Sequence, residues 1–468
     1  MDDLLHRPLH ELLERLARKE ITPVDLMERT LARIGAKNGT LNAFCELADA
    51  ERLHDQARAA EKRWQAGEAR PLEGIPLGVK DLEDAAGFHT THGSVPFKDR
   101  VPERDSIQVE RLRAAGAIVV GKTTAPEFGY TCITKNLLHG VTRSPWNLEH
   151  TPGGSSGGSS AAIAGGMIPL VTASDGGGSI RLPASFTGCF GLKVSFGRIP
   201  NGPHEAWETT DTAVVGPLTR TVEDAAIHLD AVAGPHPLDA KALPHPGLRY
   251  RDVLRDLPAG LRIAFSRDLG YGVVQPDVAE VAAEAALAFE ELGHRVEEIR
   301  GGPPDVGRQW GLINAFEAAG KLGHLLPDRE QEFGRSFLHG VKAGFKMTPA
   351  IWWEGQKARQ RVNHWCAEVF AGYDLLLTPT TFADPPPAKG PLPTEIDGKA
   401  APFGSSGAFT IPFNLSWHPA GTVRAGFSRA GLPVGLQIVA PHHRDDRVLQ
   451  AAWAFEQLRP WCHHWPEI

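Results

Sequence analysis

The fold of this chain is decided by residues 151–193, TPGGSSGGSSAAIAGGMIPLVTASDGGGSIRLPASFTGCFGLK. Two clusters of glycine and serine, at 153–160 and 175–179, enclose an alanine-rich segment typical of a helix and the apolar run MIPLVTA, typical of a strand. Such a strand would deliver the second cluster at its carboxyl end, where open α/β sheets bind ligands. The segment therefore predicts an α/β fold with a site beside Ser179.

The same alternation of strand-like and helix-like segments continues on both sides of this stretch. Apolar runs such as IPLGV (75–79) and LPVGLQIVA (432–440) are separated by amphipathic segments such as DVAEVAAEAALAFEELGH (277–294). Strands alternating with helices predict a sheet covered by helices on both faces. No repeat of 20–50 residues interrupts the pattern, so we expect one large domain with N-terminal helices over residues 1–70.

Composition excludes several classes of protein. Lys and Arg number 49 against 56 Asp and Glu, a formal net charge of −7, which argues against a nucleic-acid surface. The five cysteines contain no CxxC pair, so we expect neither a disulfide framework nor a zinc site, and a reducing cytoplasm. We also expect no signal peptide and no membrane span, because no apolar run approaches about 18 residues.

Three short motifs match known patterns but fail on context. The P-loop expression fits GAIVVGKT (116–123), yet AIVV favours a buried strand over a phosphate-binding loop. The stretch GGSSG (153–157) fits the nucleophile elbow, which must directly follow a strand, whereas the preceding residues are polar and broken by proline. The pairs His10-Glu11 and His204-Glu205 lack the second histidine of a zinc-binding HExxH.

Three glycines immediately before a serine have a chemical use. The N–H groups of Gly176, Gly177 and Gly178 have no side chains beside them and can converge on one point to stabilise an oxyanion. The alternative is a flexible linker, but linkers are not normally embedded between a helix and apolar strands. We therefore interpret the cluster as part of an acyl-transfer site around Ser179.

These motifs together resemble the amidase signature family. The family's Gly/Ser block corresponds to GGSSGGSS (153–160), and its D-x-G-G-S-I-R block to DGGGSIR (175–181). The segment LEGIPLGVKDLEDAAGFHTTHGS (72–94) is similar to the segment that carries the family's lysine. The resemblance implies a single domain with a mixed, mostly parallel β-sheet, in which about 71–235 form the catalytic core and about 236–468 the remainder.

The resemblance also implies a catalytic triad. Lys80 corresponds to the base, Ser155 to a bridging serine that the family holds in a cis peptide, and Ser179 to the nucleophile. Lys80 must be neutral to accept a proton, which requires burial. N–H groups of residues 176–179 would hold the oxyanion, and no metal or cofactor is required. Arg181 is expected to anchor the loop rather than to bind substrate.

The resemblance also indicates residues that border the substrate pocket. In the family, the backbone near Gly129, Thr131 and Cys132 borders the acyl site, so these residues are candidate substrate contacts. Gly176 stands where many members carry a side chain, which should loosen the loop or enlarge the pocket.

Four tryptophans lie in segments with little family motif. They either line an aryl-binding cavity, with Trp207 the leading candidate, or are ordinary core aromatics. The four are Trp207, Trp310, Trp352 and Trp353.

The sequence thus predicts an amide-bond hydrolase that acts on a small-molecule amide without nucleic acid or membrane; a homodimer is left open. Two alternatives remain. The chain could be the glutamine-hydrolysing subunit of a tRNA-dependent amidotransferase, or a non-catalytic binding protein on the same fold. Retention of Lys80, Ser155 and Ser179 argues against the latter.

Overall fold

The computed structural model describes residues 4–204, 210–401 and 407–468. In chain order the strands are β1 (Phe44–Leu47), β2 (Pro76–Lys80), β3 (Ile118–Thr123), β4 (Lys135–Asn136), β5 (Gly140–Val141), β6 (Leu170–Asp175), β7 (Phe190–Lys193), β8 (Val214–Thr219), β9 (Arg262–Phe265), β10 (Arg295–Glu298), β11 (Leu375–Pro379), β12 (Glu395–Ile396), β13 (Lys399–Ala400), β14 (Ala420–Phe427) and β15 (Pro433–Val439).

The helices, again in chain order, are α1 (Leu9–Ala17), α2 (Pro23–Leu41), α3 (Ala50–Ala66), α4 (Ile107–Ala114), α5 (Gly157–Ala164), α6 (Arg181–Thr187), α7 (Val222–Val232), α8 (Pro276–Glu291), α9 (Gly307–Leu322), α10 (Leu326–Arg329), α11 (Arg335–Gly344), α12 (Pro349–Gly372), α13 (Ile411–Leu415) and α14 (Asp445–Leu458). In the described part of the chain, none of them has the length and hydropathy that a bilayer span requires.

Eleven strands form one sheet in the order β1-β3-β2-β6-β8-β7-β14-β15-β11-β9-β10. The predicted large mixed sheet is therefore confirmed. Parallel pairing, however, is confined to two flanks, β3-β2-β6 and β11-β9-β10, and the central pairs are antiparallel. The sheet is less parallel than the resemblance implied, in part because the connection between β14 and β15 is short and a parallel pair needs a long crossover.

Alternating residues of each strand face opposite sides of the sheet, and helices cover both. In β3, Val119 packs in a buried cluster with α4 and α7, whereas Ile118 and Val120 pack in a second cluster with α3 and α5. This is the alternation that a strand imposes on its side chains. The predicted helices on both faces are confirmed, as is the buried strand within the P-loop-like segment.

The N-terminal helices follow from local sequence. Thr22 caps α2 through a capping box with Asp25, and Pro23 occupies the first helical position. Leu26 and Ile34 of the same helix are buried, at 0% and 1% exposure, and belong to the two main hydrophobic clusters.

The glycine- and serine-rich stretch folds as its pattern predicts. It forms α5, then β6, which ends at Asp175, then α6. Helix α5 is buried along its whole length, and a Cβ at Gly158 would lie 2.3 Å from the backbone nitrogen of Thr124. Only glycine allows this close approach of helix to backbone. The packing brings the first serine cluster against the ends of β2 and β6.

Candidate active site

Lys80 is the last residue of β2, and its side chain is completely buried. Its Nζ donates to three serine hydroxyls, at 2.9 Å to Ser155 Oγ, 2.8 Å to Ser156 Oγ and 2.9 Å to Ser174 Oγ. Because β2 pairs with β6, which carries Ser174, the sheet itself sets this arrangement. Lys80 and Ser155 are therefore in direct contact, as the resemblance implied.

Burial lowers the pKa of Lys80 from 10.5 to about 7, although the nearby carboxylates of Glu83 and Asp175 act to raise it. A buried amine is easier to deprotonate because water no longer stabilises its charge. Burial also lowers the pKa of Lys122 and Lys193, but these lysines donate to backbone carbonyls and a threonine. Contact with serine hydroxyls, rather than the pKa, distinguishes Lys80 from these two buried lysines.

Ser155 follows a cis peptide bond from Gly154, the geometry that the resemblance implied. Its side chain is 3% exposed. The next residue, Ser156, donates its backbone N–H to the carbonyl oxygen of Ser179 at 3.3 Å, so the two serine clusters are joined at this point. Ser179 itself is half-buried. The three residues of the expected triad thus lie on adjoining segments.

The segment 129–132 borders Ser155, as expected. Gly129 has a φ of +71°, and a Cβ there would lie 3.1 Å from Ser155 Oγ. A Cβ at Gly154 would lie 2.7 Å from the carbonyl oxygen of Thr131 and 2.8 Å from the carbonyl carbon of Cys132. Gly129, Thr131 and Cys132 therefore form a wall next to the serine cluster.

The loop that carries Ser179 is closed by the carboxylate of Asp175. This carboxylate accepts from the N–H of Gly178 at 2.7 Å and of Ile180 at 3.2 Å, and it forms a fully buried ion pair with Arg181 at 2.9 Å. Burial alone would raise the pKa of Asp175, but Arg181 holds it far below its usual range. The loop is therefore fixed by an ionised carboxylate.

Arg181 is held in turn by residues from the end of the chain. Its guanidinium donates to the carbonyl oxygen of Thr410 at 3.0 Å, to Asn414 Oδ1 at 2.6 Å and to Gln437 Oε1 at 2.8 Å. A buried charge pair requires such additional hydrogen bonds to offset its loss of hydration. Arg181 anchors the loop, in agreement with the prediction.

One predicted oxyanion donor must be corrected. The N–H of Gly178 is already donated to Asp175, so it is not free to bind an oxyanion. Among the described residues, no acceptor takes the N–H groups of Gly176, Gly177 or Ser179. The sequence could not distinguish these glycines, because the direction of each N–H depends on what binds the neighbouring carbonyl.

The carbonyl oxygens of Gly176 and Gly177 accept hydrogen bonds from two side chains that the motifs did not identify. Trp310 on α9 donates its Nε1–H to the carbonyl oxygen of Gly176 at 2.7 Å, and Thr410 donates its hydroxyl to that of Gly177 at 2.6 Å. The indole ring also lies against Gly177, where a Cβ would be 2.5 Å from a ring carbon. Trp310 is thus a residue of the site rather than an ordinary core aromatic.

The other tryptophans differ. Trp207, predicted to contact substrate, lies outside the described residues, so its role stays a prediction. Trp352 packs against Phe316 at 5.8 Å between ring centroids, and Trp353 is 63% exposed. The contact of Trp352 does not involve the serine clusters, and the side chain of Trp353 lies mostly in solvent. No sequence signal separates Trp310 from them, since it reaches the site from 134 residues away.

A group of possible metal ligands lies on the other side of β2. One donor atom each from Cys45, Asp81 and His139 all lie within 4.8 Å of one another. Asp81 directly follows Lys80, so the side chains of these neighbours point to opposite faces. The group is therefore separate from the serine clusters, and the sequence did not indicate it.

Comparison with known proteins agrees with this geometry. The family model described as Amidase matches residues 25–449. The chain belongs to the amidase signature family. The acylamidase of Rhodococcus erythropolis is 35% identical to this amidase, over 97% of the chain and 95% of the relative. One component of the glutamyl-tRNA(Gln) amidotransferase of Roseiflexus sp. (strain RS-1) is 34% identical, over 99% of both chains.

Among solved structures, that of a bacterial aryl acylamidase of the same family matches with a TM-score of 0.93 and 29% identity, over 98% of this chain and 97% of that one. The predictions of fold, family and enzyme class are confirmed. This amidase is a hydrolase that acts on amide bonds, and the alternative of a non-catalytic binding protein is not favoured.

Proposed function

We propose that this amidase forms an acyl-enzyme on Ser179 and that Ser155 passes the Ser179 proton to Lys80. The observation that carries the proposal is the 2.9 Å contact between the buried Nζ of Lys80 and Ser155 Oγ. A serine hydroxyl is a weak nucleophile until a neighbouring base removes its proton. With a pKa of about 7, Lys80 is available as a neutral base near neutral pH.

In the first half of the reaction, Ser179 Oγ attacks the amide carbonyl carbon, and its proton moves to Ser155 while the Ser155 proton moves to Lys80. The carbonyl oxygen becomes an oxyanion, which we assign to the free N–H groups of Gly176, Gly177 and Ser179. Preorganised donors of this kind stabilise the charge that develops in the transition state.

In the second half, the C–N bond breaks and the proton returns from Lys80 through Ser155 to the departing nitrogen, which leaves as ammonia or an amine. Water then attacks the acyl-enzyme carbonyl and gives up a proton to the same relay. As the bond between Ser179 Oγ and the acyl carbon breaks, the relay returns that proton to Ser179 Oγ and the carboxylic acid leaves. Ser156 and Ser174 remain as hydrogen-bond acceptors that hold Lys80 Nζ in place through each step.

Trp310 is a positioning residue for this oxyanion site. The N–H of Gly177 and the carbonyl of Gly176 belong to one peptide plane and point in opposite directions. The indole hydrogen bond to that carbonyl therefore fixes the direction of the Gly177 donor.

We expect Trp310→Phe to lower kcat by about 10-fold with KM nearly unchanged, because a misdirected donor is less harmful than a deleted one, which costs about 10²-fold or more. Steady-state kinetics on one amide check the split between kcat and KM. Trp353→Phe on the exposed face of α12 is the matched control and should leave both constants unchanged. A raised KM at constant kcat would instead make Trp310 a simple substrate contact.

We assign N-acylated aryl amines as the substrate class. The supporting comparisons are the acylamidase and the aryl acylamidase named above. Within the site, the indole of Trp310 offers an aromatic wall beside Gly177. Gly176 leaves space as well, since among the described residues a Cβ there would meet only Ala213, at 3.7 Å.

The glutamine-hydrolysing component of an amidotransferase remains the second candidate function, because a relative of that kind matches over 99% of this chain. We expect the purified chain alone to release aryl amines from acyl anilides and to leave glutamine intact. Product chromatography on acyl anilides, aliphatic amides, fatty amides and glutamine measures this. Glutamine hydrolysis that appears only with added amidotransferase subunits, without anilide turnover, would overturn the assignment.

The compartment and the partners of the enzyme are also part of the proposal. We propose the cytoplasm as its compartment, because none of the five cysteines, all of which lie in the described residues, forms a disulfide bond. A small-molecule amide is its partner, and a homodimer stays a prediction.

A further inference from the structure

We propose that Cys45, Asp81 and His139 form a second binding site, which takes one divalent zinc-class cation. Their three donor atoms, a thiol sulfur, a carboxylate oxygen and an imidazole nitrogen, all lie within 4.8 Å of one another. These donors come from three separate parts of the chain. Nothing in the proposed amide chemistry uses them.

The sheet brings the three ligands together. Cys45 lies on β1, which pairs with β3, and Asp81 directly follows β2, which pairs with the other edge of β3. The N–H of Asp81 donates to the carbonyl oxygen of Thr123 at 2.9 Å, so Asp81 extends the pairing of β2 with β3 by one residue. His139 lies in the turn between β4 and β5, and Asn42, two residues before β1, donates to its carbonyl oxygen at 2.7 Å.

The carboxylate of Asp81 is held in one orientation. It accepts from the N–H groups of Thr91 at 2.8 Å and Gly93 at 3.1 Å, and also from the Thr91 hydroxyl. Asp81 Oδ2 lies 3.8 Å from Nε2 of His139. Partners that orient a metal ligand are a regular feature of metal sites, since they fix the ligand before the ion arrives.

The donor set indicates the class of cation. Mixed sulfur, nitrogen and oxygen ligands suit zinc, which prefers tetrahedral coordination with bond lengths of about 2.0–2.3 Å. Ligand atoms in such a tetrahedron are about 3.5 Å apart, so the donors would contract by roughly 1 Å on binding. The Cys45 thiol would release its proton to solvent, and the sulfur would bind as thiolate.

The three ligands line a cavity of about 150 Å³, which leaves room for a fourth ligand. Glu46, His89 and Lys98 also line this cavity, and the side chains of Glu46 and His89 are hydrogen-bonded to each other at 2.9 Å. The buried Lys122 ammonium near this site donates to the carbonyl oxygen of Glu83 and to a threonine hydroxyl, and does not bind Asp81. The cation would thus take three protein ligands and one water.

Cobalt(II) is the probe, because it takes zinc sites and its thiolate complexes absorb visibly and in the near ultraviolet. The full chain is stripped with a chelator and titrated with Co²⁺. We expect one equivalent to bind with a sulfur-to-cobalt charge-transfer band, and Zn²⁺ to displace it. Cys45→Ser and His139→Gln should each lower the affinity at least about 10-fold, with the band absent in Cys45→Ser.

Cys462→Ser is the matched control, because Cys462 is a partly buried thiol next to His463 and should not affect the band. Circular dichroism verifies that each variant is folded, and Cys45→Ser should keep its amidase activity. A titration without a thiolate band at saturating Co²⁺ would overturn the proposal. So would a band that survives in Cys45→Ser and disappears in Cys462→Ser.

Discussion

Ser179→Ala is expected to lower kcat/KM for amide hydrolysis by at least about 10⁴-fold, the scale of losses on removing a catalytic nucleophile. No other described hydroxyl is both half-buried and placed on the Asp175-anchored loop beside the free N–H groups. The substitution removes one oxygen from a partly exposed side chain, so stability should change by less than about 1 kcal/mol. The variant should therefore be folded and inactive.

Intact-mass spectrometry and turnover kinetics test this expectation. Intact-mass spectrometry after reaction with a serine-directed fluorophosphonate should show one adduct on the native enzyme and none on Ser179→Ala. Ser156→Ala is the comparison variant: it removes a hydroxyl that holds Lys80 Nζ but keeps Ser179, so we expect slower labelling that still ends in one adduct. Turnover by Ser179→Ala within 10-fold of the native rate would mean that another group attacks the amide.

The parts of the site predicted from sequence are those carried by contiguous motifs. Ser155 and Ser179 lie in stretches rich in glycine and serine, and Lys80 lies in a segment that resembles the family's lysine segment. The close approach of α5 to the backbone at Thr124, for example, requires glycine, and so appears in the sequence. A requirement of this kind restricts the residue type at a single position, and a sequence motif records it directly.

The parts that sequence could not provide depend on long-range contacts. Arg181 is satisfied by Asn414 and Gln437, more than 230 residues away, and the Gly176 carbonyl by Trp310. The sequence around Asn414, Gln437 and Trp310 contains no motif that indicates a site residue. The same applies to the strand pairing, since local pattern predicts a strand but not the direction of its partner.

The corrected oxyanion site follows from this difference. The triple glycine correctly indicated a loop of free donors, yet Gly178 serves the structure by donating to Asp175. Gly178 has a φ of +129°, and a Cβ there would lie 2.3 Å from the Thr410 hydroxyl. Gly178 is therefore required for packing and for the hydrogen bond to Asp175, and not as an oxyanion donor. Its place in the motif has these two structural causes.

Lys80→Met is the second substitution with a large expected effect. Methionine keeps the volume of the buried side chain but cannot accept a proton, so kcat/KM should fall by about 10³-fold or more at every pH, in the range lost when a general base is removed from a serine triad. For the native enzyme, activity should rise with pH through about 7, because Lys80 acts as a base only after losing its proton.

The pH dependence separates this role from a structural one. Lys193 is the matched control: it is also buried, with a pKa lowered by burial to about 7, but among the described residues its Nζ donates only to the carbonyl oxygen of Val194. Lys193→Met should keep the rise in activity near pH 7, whereas Lys80→Met should lose it along with the activity. If Lys80→Met instead retained that rise at a reduced rate, the titrating base would be another group and the relay through Ser155 would be wrong. Folding of both variants is verified by circular dichroism, so that a loss caused by unfolding is recognised as such.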